Sequence, residues 1–309
     1  MKAIQIHEFG GPEVLKYEDA PKPSPNADEV LIKVFATSVN PVDWKIRAGH
    51  AKGKFPVKFP LIPGWDVSGE IEEVGSNIVN FRKGDEVYSR PDPTKNGTYA
   101  EYVVVKANLV NLKPQCIDHE KSAAVPLAGL TAWQALFDHG ELKAGQKVLI
   151  HAASGGVGTF AVQFAKWKGA YVIGTTSKEN IDFVKQLGAD EVIDYKNEKF
   201  EDKLKDIDLV IDLIGGDTQK RSLKVIKKGG KLITTVQPEN QEAAKEKNIH
   251  IEGFMAQSLP EELEQIKQLI DSGKVKPVVA EIMPLKDAAK AQKLSEEGHI
   301  RGKIVLQVV

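Results

Sequence analysis

The stretch Val148-Leu149-Ile150-His151-Ala152-Ala153-Ser154-Gly155-Gly156-Val157-Gly158 decides how this chain is read. Its apolar start reads as a buried strand, and the small residues after it read as a tight turn. Val157, Phe160, Ala161, Phe164 and Ala165 then follow at i, i+3, i+4, i+7 and i+8, the spacing of a helix with one apolar face. A strand that turns sharply into a helix leaves unpaired N–H groups at the positive end of the helix dipole, where a pyrophosphate binds. Ala152, Gly155 and Gly158 hold the three fingerprint positions, with Ala replacing the first Gly. A glycine triplet alone also marks ordinary turns. Between this strand and this helix it points to a dinucleotide loop made of Ala152, Ser154, Gly155, Gly156, Val157 and Gly158.

Around that loop the rhythm of the chain changes at about residue 122. Ahead of it, short alternating runs at 30–35, 69–74 and 99–105 are separated by Pro and Gly turns, a mostly β pattern. Behind it, strands expected at 147–150, 171–173, 191–193, 209–211, 231–235 and 249–254 alternate with helices, one of them around 219–226. That alternation implies βαβ units and a parallel, doubly wound α/β sheet. Ser258 is expected to cap a helix with Pro260 in its first turn and Glu261 completing a capping box. A helix around 288–295 and a strand at 303–308 follow, in a tail too small to build its own core.

With 309 residues and 41% hydrophobic content, the chain can bury a large core in two domains. Lys plus Arg (42) balances Asp plus Glu (43), so no net field recruits nucleic acid or an anionic membrane. Cys116 is the single cysteine, which excludes an internal disulfide and fits a reducing compartment. The opening residues alternate like a strand and no run is long enough to span a bilayer, so a soluble cytoplasmic protein is expected.

The end of the second strand of a dinucleotide fold meets the adenosine ribose, where a carboxylate selects NAD. Here Thr176, Ser177 and Lys178 stand in that place, offering hydroxyls and a cation but no acid. A 2′-phosphate gains charge-assisted hydrogen bonds from such a set, so NADPH (NADP+) is the expected coenzyme. The same residues would also serve as a helix cap with a surface lysine, a role that uses the same N–H groups.

The identifying motifs lie ahead of the loop: Asn40-Pro41-Val42-Asp43, Pro63-Gly64-Trp65-Asp66-Val67-Ser68-Gly69, Val74-Gly75, Gly84-Asp85-Glu86-Val87-Tyr88, Gly97-Thr98-Tyr99-Ala100-Glu101-Tyr102 and Pro126-Leu127-Ala128-Gly129-Leu130-Thr131-Ala132. In this order they make the whole chain resemble the medium-chain dehydrogenase/reductase superfamily, in its zinc-free quinone oxidoreductase branch related to zeta-crystallin. Residues 40–49 look most like bacterial and chloroplast-envelope quinone oxidoreductase homologues. The resemblance implies a Rossmann-type sheet domain (122–257) inserted into a GroES-like β-rich catalytic domain built from 1–121 and 258–309. It also implies an active site in a cleft between the domains, and a homodimer. Zinc-dependent relatives would carry a Cys near Asn40, a His near Trp65 and a four-Cys cluster after Gly84. This chain has none of these, and its seven His are scattered without ligand spacing, so no metal is expected.

Without a Lewis acid, the expected chemistry is hydride delivery to an acceptor that conjugation has already activated, a quinone or an α,β-unsaturated carbonyl compound. The resemblance puts Asn40 beside nicotinamide and substrate, donating to a carbonyl oxygen or holding the ribose; alternatively it only fixes the turn before Pro41. Asp43 is expected to orient its neighbours. Lys45 stands where the zeta-crystallin branch tends to carry Tyr, and is either a donor to an enolate oxygen or a solvated rim lysine. Trp44, Trp65, Tyr88 and Phe254 are candidates for a substrate pocket, with core packing as the alternative. Thr131, Tyr195, Val236, Gln237, Phe254 and Met255 complete the expected coenzyme contacts, and Lys303 either reaches the coenzyme or is solvated. Two other readings share the coenzyme features: an NADPH-binding protein without turnover, serving as redox sensor or structural protein, and a zinc-free reductase of other carbonyl or acyl substrates.

Overall fold

Strand Lys147–Ile150 lies inside a six-stranded sheet whose order is Glu191–Asp194, Tyr171–Thr176, Lys147–Ile150, Ile207–Asp212, Ile226–Thr234 and His250–Gly253. Every pair in it is parallel. Val148, Leu149 and Ile150 are fully buried, as an unbroken apolar strand covered on both faces must be. This is the expected doubly wound sheet, with the order reversing between Lys147–Ile150 and Ile207–Asp212. Helix Gly156–Trp167 buries Phe160, Ala161, Phe164 and Ala165, the apolar face read from the spacing.

The computed structural model describes residues 1–53 and 57–309. They form two compact units: Met1–Leu127 with Ser258–Gly273 and Pro277–Val309, and Ala128–Gln257 with Lys274–Lys276. The parallel sheet belongs to the second.

The first unit is β-rich, as a GroES-like domain requires. Its main sheet runs in the order Val279–Pro284, Lys303–Gln307, Glu29–Ser38, Val67–Val74, Glu86–Ser89 and Val110–Leu112, and Tyr102–Lys106 also pairs with Glu29–Ser38. Val30, Ile32, Val34, Val67, Ile71, Val87, Val103 and Val105 pack into one cluster. Each such side chain contributes about 1.5–3 kcal/mol on burial. The C-terminal tail returns here: Val305, Leu306 and Gln307 pair antiparallel with Ser38, Thr37 and Ala36.

Two local expectations are corrected. The helix expected around 219–226 is Gly216–Ser222, and the next strand starts at Ile226, running through the glycines to Thr234. Ser258 does not cap helix Pro260–Asp271, whose N-cap is Leu259. Its hydroxyl instead accepts from Arg90 Nη1 at 2.6 Å and donates to Arg90 O at 2.8 Å. A buried guanidinium needs partners more than a solvated helix end needs a cap.

Candidate functional site

In a parallel sheet, all strand ends of one kind lie along one edge, and ligands bind outside the carboxyl edge where the strand order reverses. The residues singled out in the second unit fall on that edge. Ala152–Gly158 follow Ile150, Thr176 ends its strand and Ser177–Lys178 follow it, Tyr195 follows Asp194, Val236–Gln237 follow Thr234, and Phe254–Met255 follow Gly253.

The loop is shaped for close approach. Gly155 is the N-cap of helix Gly156–Trp167, and the first helical bond runs from Thr159 N–H to Gly155 O at 2.9 Å. The N–H groups of Gly156, Val157 and Gly158 therefore have no acceptor within the helix. A Cβ on Gly158 would stand 2.2 Å from Ala152 O, so only glycine lets helix and strand meet this closely. Ala152 itself adopts φ +50°, the left-handed conformation that the first fingerprint glycine normally supplies. The cradle fits a pyrophosphate.

Thr176 donates from its buried hydroxyl to Ser154 Oγ at 2.8 Å, tying the second strand to the loop. Ser177 Oγ accepts from Asn180 Nδ2 at 3.3 Å, while Lys178 is exposed and Tyr195 half-exposed. The structure therefore leaves the Lys178 ammonium accessible beside two hydroxyls. Val236 is half-buried, Gln237 and Met255 are exposed, and Thr131 is buried on helix Pro126–Gln134. Phe254 lies half-buried with its ring tilted against His139 at 4.5 Å.

His151, inside the decisive stretch, carries an unforeseen role. Ser222 Oγ donates to Thr218 O and so accepts from His151 Nε2–H at 2.9 Å; His151 Nδ1 then accepts from Thr175 Oγ at 3.0 Å. Burial pushes this imidazole down to about 4, so it is neutral and ties the end of strand Tyr171–Thr176 to the end of helix Gly216–Ser222.

In the first unit, Asn40 caps helix Pro41–Arg47, and Asp43 closes the capping box by accepting from Asn40 N–H at 2.7 Å. Both side-chain ends of Asn40 are bonded. Its Nδ2 donates to Asp66 Oδ2 at 2.8 Å and weakly to Ser38 O at 3.4 Å, and its Oδ1 accepts from Lys303 Nζ. Lys303 also donates to Val39 O at 3.0 Å and faces Asp66 Oδ2 at 3.5 Å. Asp66 is held further by Ser38 Oγ at 2.5 Å and Leu127 N–H at 2.7 Å. The Asn40 backbone carbonyl closes the turn by accepting from Asp43 N–H at 2.9 Å, while its side-chain amide is held by Asp66 and Lys303.

Lys303 corrects both sequence alternatives. It is 5% exposed, neither solvated nor free to reach a coenzyme, because its ammonium is committed to Asn40, Val39 and Asp66. Tyr88 is corrected too: it is fully buried and donates to Leu263 O at 2.5 Å, so it packs the core and offers a substrate no face. Trp65 is buried with the Arg90 guanidinium 5.1 Å from its ring, an attraction between cation and π-face. Trp44 is half-buried; Lys45 is exposed with its ammonium 5.5 Å from the Trp44 ring, the rim position.

Sequence reasoning missed Ser38, Asp66 and Tyr99. Asp66 is fully buried and therefore partnered, but the mixed stretch 66–71 around it gives no sequence signal of that burial. Tyr99 donates to Asp43 Oδ2 at 3.1 Å from just ahead of strand Tyr102–Lys106; the alternation at 99–105 marked the segment but not this bond. Among the described residues, no group of three or more His, Cys, Asp or Glu is placed to hold a metal ion, and no helix is long and apolar enough to cross a membrane.

Comparison with known proteins places the chain. The family described as an alcohol dehydrogenase GroES-like domain matches residues 26–115, and that described as a zinc-binding dehydrogenase matches 187–306. A mitochondrial NAD(P)H oxidoreductase of Danio rerio is 36% identical over 100% of this chain and 92% of its own length. The solved structure of a quinone oxidoreductase from Coxiella burnetii is 39% identical, with a TM-score of 0.94 over 100% of this chain and 99% of that one. An Escherichia coli quinone oxidoreductase solved in complex with NADPH is 29% identical, with a TM-score of 0.91 over 99% of this chain and 100% of that one.

Proposed function

The chain belongs to the quinone oxidoreductase branch of the medium-chain dehydrogenase/reductase superfamily and is an NAD(P)H oxidoreductase, and we propose that it reduces quinones or α,β-unsaturated carbonyl compounds with NADPH and without a metal ion. The observation that carries this reading is the gathering of the Ala152–Gly158 cradle, Thr176–Lys178, Val236–Gln237 and Phe254–Met255 on one carboxyl edge of the parallel sheet. Bound there, the reduced nicotinamide supplies a hydride.

The chain's own residues do the rest. Gly156, Val157 and Gly158 offer backbone N–H groups to the pyrophosphate, and Lys178, with Thr176 and Ser177, meets the 2′-phosphate. Tyr195 would lie against the adenine, and Thr131, Val236 and Gln237 would border the nicotinamide. Lys303 and Asp66 hold the Asn40 amide in one orientation, and its weakly bonded second hydrogen, 3.4 Å from Ser38 O, is the donor offered to a substrate carbonyl. Such a preset donor stabilises the charge that hydride transfer leaves on that oxygen. Trp44 and Trp65 border the acceptor, with Lys45 at the rim.

Metal independence is supported by residue chemistry: Asn40 and Trp65 occupy the positions where zinc-dependent relatives would carry Cys and His, and a tryptophan has no ligating lone pair. The reading includes a cytoplasmic homodimer paired through strand His250–Gly253 at the edge of the parallel sheet. The test is NADPH oxidation against a panel of quinones and enones, with and without a strong zinc chelator. Coenzyme binding with no turnover on any acceptor would favour a redox sensor or structural protein, and loss of turnover in chelator would refute metal independence.

A further inference from the structure

Asp43 is buried, but only one of its carboxyl oxygens is bonded. Oδ2 accepts from Asn40 N–H and from Tyr99 OH, at 2.7 and 3.1 Å, while Oδ1 is equally buried and has no hydrogen-bond partner among the described residues. An orphaned buried oxygen is expensive for a carboxylate and inexpensive for a carboxylic acid. Beside it lies a cavity of about 20 Å3, bordered by Asp43, Ile46, Arg47, Ile62, Trp65 and Lys95. A void of that size takes one water. The cavity shares Trp65 with the pocket assigned above to the acceptor, so Asp43 and the Trp65 ring border the same space.

Charged and titratable neighbours surround the group on each side. Lys303 acts on it from the last strand, Asp66 from just ahead of strand Val67–Val74 and Tyr99 from the segment that bonds it, while Arg47 and Lys95 line the cavity wall. Arg47 is neutralised by Glu296, 2.9 Å from its Nη2. Burial outweighs the Asn40 and Lys303 contributions and lifts the carboxyl to about 7, so it holds its proton below neutrality and exchanges it near pH 7.

We propose that Asp43, acting through a water in this cavity, supplies the proton that completes the reduction. This rests on the reductase reading above. Hydride adds to the β-carbon of the enone, the C=C electron pair moves onto the carbonyl oxygen, and the resulting enolate takes a proton from the water. The water takes one from Asp43, whose carboxylate is reprotonated from solvent. With a quinone the same proton goes to the quinol oxygen. Electrons and protons balance with NADPH and solvent alone. Asp43 is thus a proton reservoir and a positioning residue for the water, distinct from the Asn40 amide that holds the oxygen.

The experiment has two arms. In the coenzyme-free full-length protein, carboxyl-carbon NMR with Asp43→Asn as the assignment control follows the ionisation directly. We expect a carboxyl that titrates near neutrality, moving to higher pH in Tyr99→Phe, which loses one hydrogen bond to the charged form. In single turnovers with an enone, we expect Asp43→Asn to retain the hydride step, read as NADPH absorbance, and to slow proton uptake from buffer about 100-fold, within the range for a general acid. Tyr99→Phe should keep the kinetic inflection and shift it upward. An Asp43 ionised throughout pH 5–9, or proton uptake unchanged in Asp43→Asn, overturns the proposal. Absence of wild-type turnover on every acceptor sinks the reductase reading and this inference with it, and is distinguished by the wild-type control alone.

Discussion

The Lys303 ammonium donates to the Asn40 side-chain oxygen across 263 positions of sequence, and both residues are buried. The bond joins the last strand of the chain to the cap of helix Pro41–Arg47, and its counter-charge is Asp66, 3.5 Å from Lys303 Nζ. A buried ammonium without such a carboxylate would lose its proton; a buried carboxylate without the ammonium would be left uncompensated.

Removing one partner should therefore cost more than removing both. Lys303→Met leaves Asp66 buried and unpaired and should lose about 3–5 kcal/mol of unfolding free energy, whereas Lys303→Met with Asp66→Asn should recover a large part of it. Urea unfolding of the two single variants and the double variant measures the coupling. Strict additivity would show that the pair is not coupled.

Gly158 and Ala152 test the loop in opposite directions. Gly158→Ala puts a methyl 2.2 Å from Ala152 O and should abolish coenzyme binding, because helix and strand must separate. Ala152→Gly relieves an alanine held at φ +50° and should stabilise the protein by roughly 0.5–1 kcal/mol while retaining the coenzyme site. Fluorescence titration with NADPH and thermal denaturation report the two effects. Equal coenzyme affinity in Gly158→Ala and wild type would contradict the assigned cradle.

Lys178 is exposed next to Thr176 and Ser177, so its charge is available to a phosphate. Lys178→Glu should weaken NADPH at least tenfold more than NADH, since a charge-assisted hydrogen bond is worth about 1.5–3 kcal/mol and the change also adds repulsion. Dissociation constants for both reduced coenzymes, measured at one ionic strength, decide it. Equal losses would remove Lys178 from the 2′-phosphate site.

The buried imidazole of His151 gives the stability curve an acid limb. Its folded value of about 4 lies below the ordinary 6.5, so between these pH values the unfolded chain binds the proton and the folded one does not. The stability it confers is present above pH 6.5 and lost as pH falls toward 4, by on the order of 3 kcal/mol. Asp43 acts oppositely: its folded value is raised from 3.8 to about 7, so its contribution fades as pH rises through that window. Between about pH 4 and 6.5 the two slopes oppose each other, so the wild-type unfolding free energy should change little there, whereas His151→Gln should uncover a loss of stability with rising pH and Asp43→Asn a loss with falling pH. A His151→Gln curve as flat as wild type below pH 6.5 would contradict the neutral imidazole.

Much of the second unit was legible because its signals are local. The apolar run 148–150, the small-residue turn and the helical spacing after it lie within one βαβ unit, and parallel pairing then puts every strand end on one edge. At the junction of two elements the reading slipped: the helix expected around 219–226 ends at Ser222, and the strand expected from 231 already begins at Ile226. In the first unit the motifs marked the right segments without saying which side chains were buried. Tyr88 looked like a pocket aromatic and is core, and Ser258 looked like a cap and serves Arg90.

By itself the sequence determined the sheet class, the small-residue turn between strand and helix, and the family, since spacing and turn chemistry act over a few residues and survive without knowledge of distant contacts. The tertiary structure alone decided that Lys303 is a buried clamp, that Asp66 is its counter-ion, and that Asp43 faces a water-sized void. Burial and charge compensation are properties of what packs around a group, and here the groups come from residues 38–43, 66, 99 and 303, which only folding brings together.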